Sequence, residues 1–259
     1  RILYKERMVS LINIFGLAVG LACAVVLVLY IISELGYDTQ LPDSDRIYRV
    51  ICHWKSPTSE GWHARIEAPL GRKLQQDRPE VEMTARFVPP YENDDNVLIV
   101  KGNDRFFEKK IFFADPEMAD LFPIRFVKGN VETSLKRSNT VAVTRDMAVK
   151  YFGAEDPVGK TLKMEFDYDI GSENVRLEEF TVAGLLENPP LNSHFQYHML
   201  VSMATMVKNR SDFEEDWLNP QEKYCYIKLR RGTDPGIIED YLKTYAAFGD
   251  DLFRKRYGR

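Results

Sequence analysis

The chain is 259 residues long, carries a formal net charge of −4 and is 44% apolar. That length suffices for one sizeable core and permits two subdomains. The mild acidity argues against nucleic acid as a partner, and three cysteines are too few for a disulfide framework.

The first element in chain order is a membrane span. Leu11 to Ile32 holds no charged residue, and Asn13 is its only strongly polar one. As a helix it measures about 33 Å, against a hydrocarbon core of about 30 Å. A buried core helix of that length would show a polar stripe. A cleaved signal peptide would have a shorter apolar region and a small-residue cleavage site. The following Ser33-Glu34-Leu35-Gly36-Tyr37-Asp38 offers no such site, so a retained anchor over 11–32 is expected. Arg1, Lys5 and Arg7 precede it with only Glu6 opposing, whereas Glu34, Asp38, Asp43 and Asp45 follow it before Arg46. The positive-inside rule then places residues 1–10 in the cytoplasm and residues 33–259 outside it. Residues 1–32 sum to +2, which leaves −6 on the outer part. The first residue is Arg, so further sequence N-terminal to it is expected. Within the span Gly16 and Gly20 form a GxxxG, with Ala18, Ala22 and Ala24 nearby. Small residues at that spacing let another helix approach closely.

The outer part reads as mixed strands and helices without strict alternation, an α+β pattern. Arg46 to His53 is β-branched and aromatic and predicts a strand. Ile66, Leu70 and Leu74 recur every fourth residue and predict a helix from His63 to Asp77, closed by Pro79. Strands are expected over 81–88, 97–101 and 106–114, with a polar loop over 89–96. Asp115 and Pro116 have the pattern of an N-cap and first helical residue for a short helix to Leu121. A strand over 140–143 leads to Thr144, placed to cap a helix from Arg145 to Phe152 that Gly153 ends. Strands follow over 161–166 and 180–186, joined by an acidic hairpin loop over 167–179, then over 197–203 and 224–229. Asp234 and Pro235 open a last amphipathic helix, expected to reach about Phe248.

Chemistry-bearing patterns are sparse. The sequence contains no GxxxxGK[ST], no GxSxG and no HExxH. His194 and His198 have the i, i+4 spacing of two metal ligands on a helix. Pro189-Pro190 and a strand-like Tyr197–Met203 argue against a helix there, so His194 is expected to hydrogen-bond within its own turn. Asp94-Asp95 and Glu214-Glu215-Asp216 read as solvated loops. Cys52 and Cys225 lie in strand-like segments, and two free thiols are expected over a bridge.

One resemblance covers nearly the whole chain. The INIFGLAVGLACAVVLVLYI run, Glu34, Tyr37-Asp38 and the Asp45-Arg46-Ile47-Tyr48-Arg49-Val50 stretch resemble the start of MacB/FtsX-like ABC-transporter permeases. The likeness continues in order through Ala114-Asp115-Pro116, Phe122-Pro123, Thr140 to Thr144, Pro157-Val158-Gly159-Lys160, Val182-Ala183-Gly184 and Pro190-Leu191-Asn192-Ser193-His194. The resemblance implies a periplasmic core domain over 33–259, with a porter-like α+β subdomain and a more β-rich one, on the first of several membrane helices. It implies a dimeric permease in the bacterial inner membrane that is not itself an enzyme and carries no cofactor. ATP is then expected on a separate cytoplasmic ATPase, and a periplasmic adaptor or outer-membrane partner is possible in such systems. The function implied is mechanical export or extraction of a substrate outside the membrane. Its rival is a relay that regulates an extracytoplasmic partner such as a cell-wall hydrolase; an anchored hydrolase comes third.

Overall fold

The computed structural model describes residues 7–36, 38, 41–55, 60–90, 96–168, 175–217 and 224–245. The first helix, α1, runs unbroken over Arg7–Leu35. It outlasts the apolar run by one turn, because nothing before Gly36 breaks the ladder and each added residue gains a hydrogen bond. Gly36 still donates to the Ile32 carbonyl at 2.9 Å. Its apolar side chains, Leu17, Leu21 and Leu29 among them, stand bare around the whole circumference. A core helix would be covered, so α1 is a candidate transmembrane helix.

Beyond it the segment expected as one strand divides. A 3-10 turn over Ser44–Arg46 feeds β1 (Ile47–Arg49), and β2 (Cys52–Lys55) pairs with β3 (Glu60–His63) as a separate ribbon. His63 is therefore in a strand, and α2 spans only Leu70–Asp77. Pro69 explains the late start, since the residue before a proline is pushed out of the helical region. The strands β4 (Val81–Val88) and β5 (Val97–Lys101) lie where they were expected. The run 106–114 breaks into β6 (Asp104–Glu108) and β7 (Ile111–Ala114), because Lys110 turns the chain with φ +59°.

The short α3 (Met118–Leu121) carries no side-chain cap, so Asp115 does not play the capping role expected of it. Two elements not expected from the sequence follow, β8 (Phe126–Lys128) and the one-turn α4 (Val131–Ser134), which Asn130 and Thr133 open with a capping box. After β9 (Thr140–Thr144) comes α5 (Arg145–Phe152); Thr144 is its N-cap residue, but its hydroxyl makes no cap bond. Gly153 ends α5 with φ +62°. The pair β10 (Thr161–Asp167) and β11 (Val175–Leu186) extends further into the acidic hairpin than expected. The strand expected over 197–203 shortens to β12 (Met199–Ser202), and the Ser202 hydroxyl caps α6 (Met203–Asn209). The chain then forms β13 (Tyr224–Leu229) and a helix, α7, over 235–245. Asp234 accepts from the Gly236 amide at its start; its expected end at Phe248 lies outside the described residues.

Among the described residues eleven strands form one mixed sheet in the order β1-β13-β4-β7-β12-β9-β11-β10-β5-β6, with β8 added on β11. Both faces are covered, which is why the central strands read as continuous apolar runs. Alternation sorts each strand between the two faces. Val141 and Val143 of β9, with Met199 and Val201 of β12, face the largest cluster, which α5 and α6 cover. Ala142 and Leu200 face the opposite, aromatic cluster under α3 and α4. In β13, Tyr226 joins that aromatic cluster, while Cys225 and Ile227 point to a third cluster against α2. Gly71 permits that last contact: a Cβ there would lie 2.8 Å from the Cys225 sulfur. Cys225 and the half-buried Cys52 are free thiols, and burial pushes the Cys225 pKa up to about 12.

Candidate functional site at the membrane joint

The C-terminal end of α1 does not lead into a free linker. Asn192, 156 residues further on, donates from its side-chain amide to the Gly36 carbonyl at 2.9 Å. Its own carbonyl accepts from the Asp38 amide, also at 2.9 Å. Asp38 sits in the left-handed region with φ +56°, a conformation Asp tolerates better than most residues. That turn aims its carboxylate at His194. One oxygen accepts from the His194 backbone amide at 3.0 Å and the other lies 2.7 Å from Nδ1. Nε2 of the same ring lies 2.8 Å from the Tyr226 hydroxyl in β13.

The chemistry sets the proton positions. The Asp38 carboxylate only accepts, so Nδ1 carries a proton, and in the neutral ring Nε2 accepts from Tyr226 O–H. Burial pushes the Tyr226 phenol up to about 12, so it keeps its proton at neutral pH. A carboxylate, an imidazole and a hydroxyl in line are the parts of a nucleophilic triad. Here Tyr226 is 4% exposed and burial holds its hydroxyl protonated, the opposite of an activated nucleophile. The line is a tether running from membrane helix to central sheet.

Below the tether the aromatic cluster supports the ring. Phe122 meets His194 edge-on at 5.5 Å and Tyr226 edge-on at 4.9 Å. Phe195 packs on Phe122 at 5.2 Å and on Phe87 at 4.7 Å. Leu41, three residues past Asp38, is buried in the same cluster.

A charge cluster holds the next stretch of chain. Arg46 pairs with Asp43 at 2.6 Å and Glu82 at 2.7 Å, and donates to the Leu229 carbonyl at 2.9 Å. Lys228 reaches Asp43 at 2.9 Å. Lys228 and Arg46 together lower the Asp43 pKa to about 2. Tyr48 closes the 3-10 turn by donating to the Asp45 carbonyl at 3.0 Å.

The residues singled out from sequence thus divide among separate sites. The structure gathers Asp38, Phe122, Asn192 and His194 at the joint, with Arg46 and Tyr48 just after it. Glu34 lies in the last turn of α1, and Tyr37 lies outside the described residues. His194 bonds across the fold rather than within its own turn, and neither it nor His198 is helical. Pro157 and Gly159 build a distant turn. Gly159, with φ +88°, donates to the Val182 carbonyl at 2.8 Å and carries the chain into β10. Pro116 opens the turn into α3. Among the described residues, α1's own backbone aside, no atom lies within 4 Å of where a Cβ would stand at Gly16 or Gly20.

Asp115 belongs to a second constellation. Arg86, 1% exposed in β4, takes both Asp115 oxygens at 2.8 and 3.1 Å. It also donates to Glu214 at 3.1 Å and to the Ala68 carbonyl at 2.8 Å. Burial opposes its charge, but the Asp115 and Glu214 carboxylates outweigh that and hold its pKa above the ordinary value. Glu214 is therefore a half-buried partner rather than part of a solvated loop; Asp94-Asp95 lies outside the described residues. Three segments distant in sequence are locked to one guanidinium, whose donors are occupied by protein groups. Arg86 had a legible signal, a charge at an inward position of an apolar strand. Tyr226, within the equally apolar Tyr-Cys-Tyr-Ile-Lys-Leu, had none.

The family described as MacB-like periplasmic core domain matches residues 10–245. The chain belongs to that family, the MacB-like periplasmic core domains. Among solved structures it is similar to a domain of a provisionally described permease from Porphyromonas gingivalis. That match has 21% identity and a TM-score of 0.67, over 84% of this chain and 88% of the other. It is also similar to the periplasmic region of MacB from Actinobacillus actinomycetemcomitans, at 13% identity and a TM-score of 0.52, over 83% and 85% of the two chains. At these identities the likeness establishes the fold. Among curated proteins none matches by sequence.

Proposed function

We propose that this chain is part of a permease subunit of an ABC transporter of the MacB/FtsX type. Its N-terminus lies in the cytoplasm and its sheet domain in the periplasm, anchored in the inner membrane. A separate ATPase binds the nucleotide, and two permease copies pair through membrane helices, with Gly16 and Gly20 on the packing face. ATP-driven movement of α1 is passed to the outer domain, which exports or extracts a substrate on the outer side.

The observation that carries this reading is the joint. A flexible linker would dissipate movement of the span. Here the residues that follow it are bonded directly to Asn192 and His194, and through the His194 ring to Tyr226, so a tilt of α1 displaces the sheet. The test is energy transfer between dyes on the two outer domains of the complex reconstituted with its ATPase. ATP should change the dye separation in the unmodified complex. In His194→Ala the ATP turnover should persist while that change is lost. An unmodified complex whose dye separation ignores ATP would refute mechanical coupling.

A further inference from the structure

Leu191 is 95% exposed, the barest large apolar side chain among the described residues. It lies in the turn Pro190-Leu191-Asn192-Ser193, closed by the Ser193 amide on the Pro190 carbonyl at 3.1 Å. Its neighbour Asn192 is the residue bonded to Gly36. That bond fixes the height of Leu191 above the membrane. Gly36 is four residues past Ile32, the last residue of the apolar run, or about 6 Å at 1.5 Å per residue. The headgroup layer on each side of the hydrocarbon core is roughly 5–7 Å thick. Leu191 is one residue from Asn192, about 3.8 Å along the chain. It therefore stands at the level of the lipid headgroups.

We infer that Leu191 inserts among the lipid headgroups of the outer leaflet, giving the outer domain a second contact with lipid beside α1. A single exposed leucine is ordinary on a protein surface; one bonded through its neighbour to the end of a span is not in bulk water. The rigid turn, with Pro189 and Pro190 before it, presents the side chain without further ordering of the loop. The occupant is lipid, because the carbonyl and side chain of Asn192 already bind the span on one side and leave the Leu191 side chain uncovered.

This inference rests on α1 being a span, and the test separates the two. Leu191→Trp, Tyr30→Trp and Phe107→Trp are made in the full chain and reconstituted in phosphatidylcholine and phosphatidylethanolamine vesicles. Phe107 is exposed on the edge strand β6, eight strands from β13 in the sheet order. The fluorescence added over the parent protein is challenged with lipid brominated near the top of its acyl chains and with aqueous acrylamide. Tyr30→Trp and Leu191→Trp should be quenched by the brominated lipid at least twofold more than Phe107→Trp, which should respond to acrylamide. If only Tyr30→Trp is quenched by lipid, α1 spans the membrane and the inference about Leu191 is overturned. This holds whether the new indole is wet or shielded by another membrane helix. If neither is quenched by lipid, the span reading falls and this inference falls with it.

Discussion

Replacing His194 by alanine removes the central link of the joint while leaving the backbone amide that Asp38 accepts. Two side-chain hydrogen bonds go, to Asp38 and to Tyr226, at about 1 kcal/mol each. The edge-on contact with Phe122 contributes roughly 0.5–1 kcal/mol more. The loss of about 2.5–3 kcal/mol corresponds to roughly a 100-fold rise in the population of the opened joint, at about 1.4 kcal/mol per tenfold. Hydrogen exchange of the Asp38 and His194 amides in the membrane-embedded chain reads that population directly. Both amides are bonded across the joint, to Asn192 and Asp38 respectively. They should exchange about 100-fold faster in the variant. The Val182 amide, bonded to the Lys160 carbonyl, should keep its rate. Unchanged rates at Asp38 and His194 would mean that something other than the tether holds the span to the sheet.

Asp115→Ala leaves the buried Arg86 with Glu214 as its remaining carboxylate partner and should cost about 3 kcal/mol, the lower end for breaking a buried pair. The outer domain should then melt roughly 10 °C lower, at about 2–4 °C per kcal/mol. Gly16→Leu and Gly20→Leu place a bulky side chain on the proposed packing face of α1. Either should reduce co-purification of the ATPase relative to Val26→Leu while the outer domain melts normally; equal recovery would show that the face meets only lipid. For Asp43 the folded pKa is lowered to about 2, from an unfolded value near 3.9. Its contribution is complete above pH 4 and is lost as the pH falls through about 2. Asp43→Asn should therefore melt below the parent at pH 7, with the two melting temperatures converging towards pH 2.

The legible parts of this fold were those with a local cause. The span follows from composition alone, and β4, β5 and α5 follow from apolar patterning and the Gly153 stop. The misread parts turned on single residues whose partners are far away in the chain. Pro69 delays α2, and the positive φ of Lys110 splits β6 from β7. Asp115 has the sequence context of a cap, yet Arg86 claims its carboxylate from another strand. The joint was half visible. Asp38, Phe122, Asn192 and His194 stood out through family resemblance, but nothing local says that residues 156 positions apart share hydrogen bonds. Tyr226 was hidden because a strand buried on both faces loses the polar alternation that would mark an unusual side chain.

The order of the sheet has a geometric consequence. On the proposed coupling Tyr226 would receive the span's displacement on β13, and β6 lies eight strand spacings away in the same hydrogen-bonded sheet. At about 4.8 Å per spacing the arm is roughly 38 Å along the sheet. Interiors packed on both faces transmit strain instead of absorbing it, so a 10° tilt at the joint would sweep the far edge through roughly 7 Å on that arm. A change in the membrane too small to open a passage there thus becomes, at the rim of the domain, a stroke about as wide as a side chain is long.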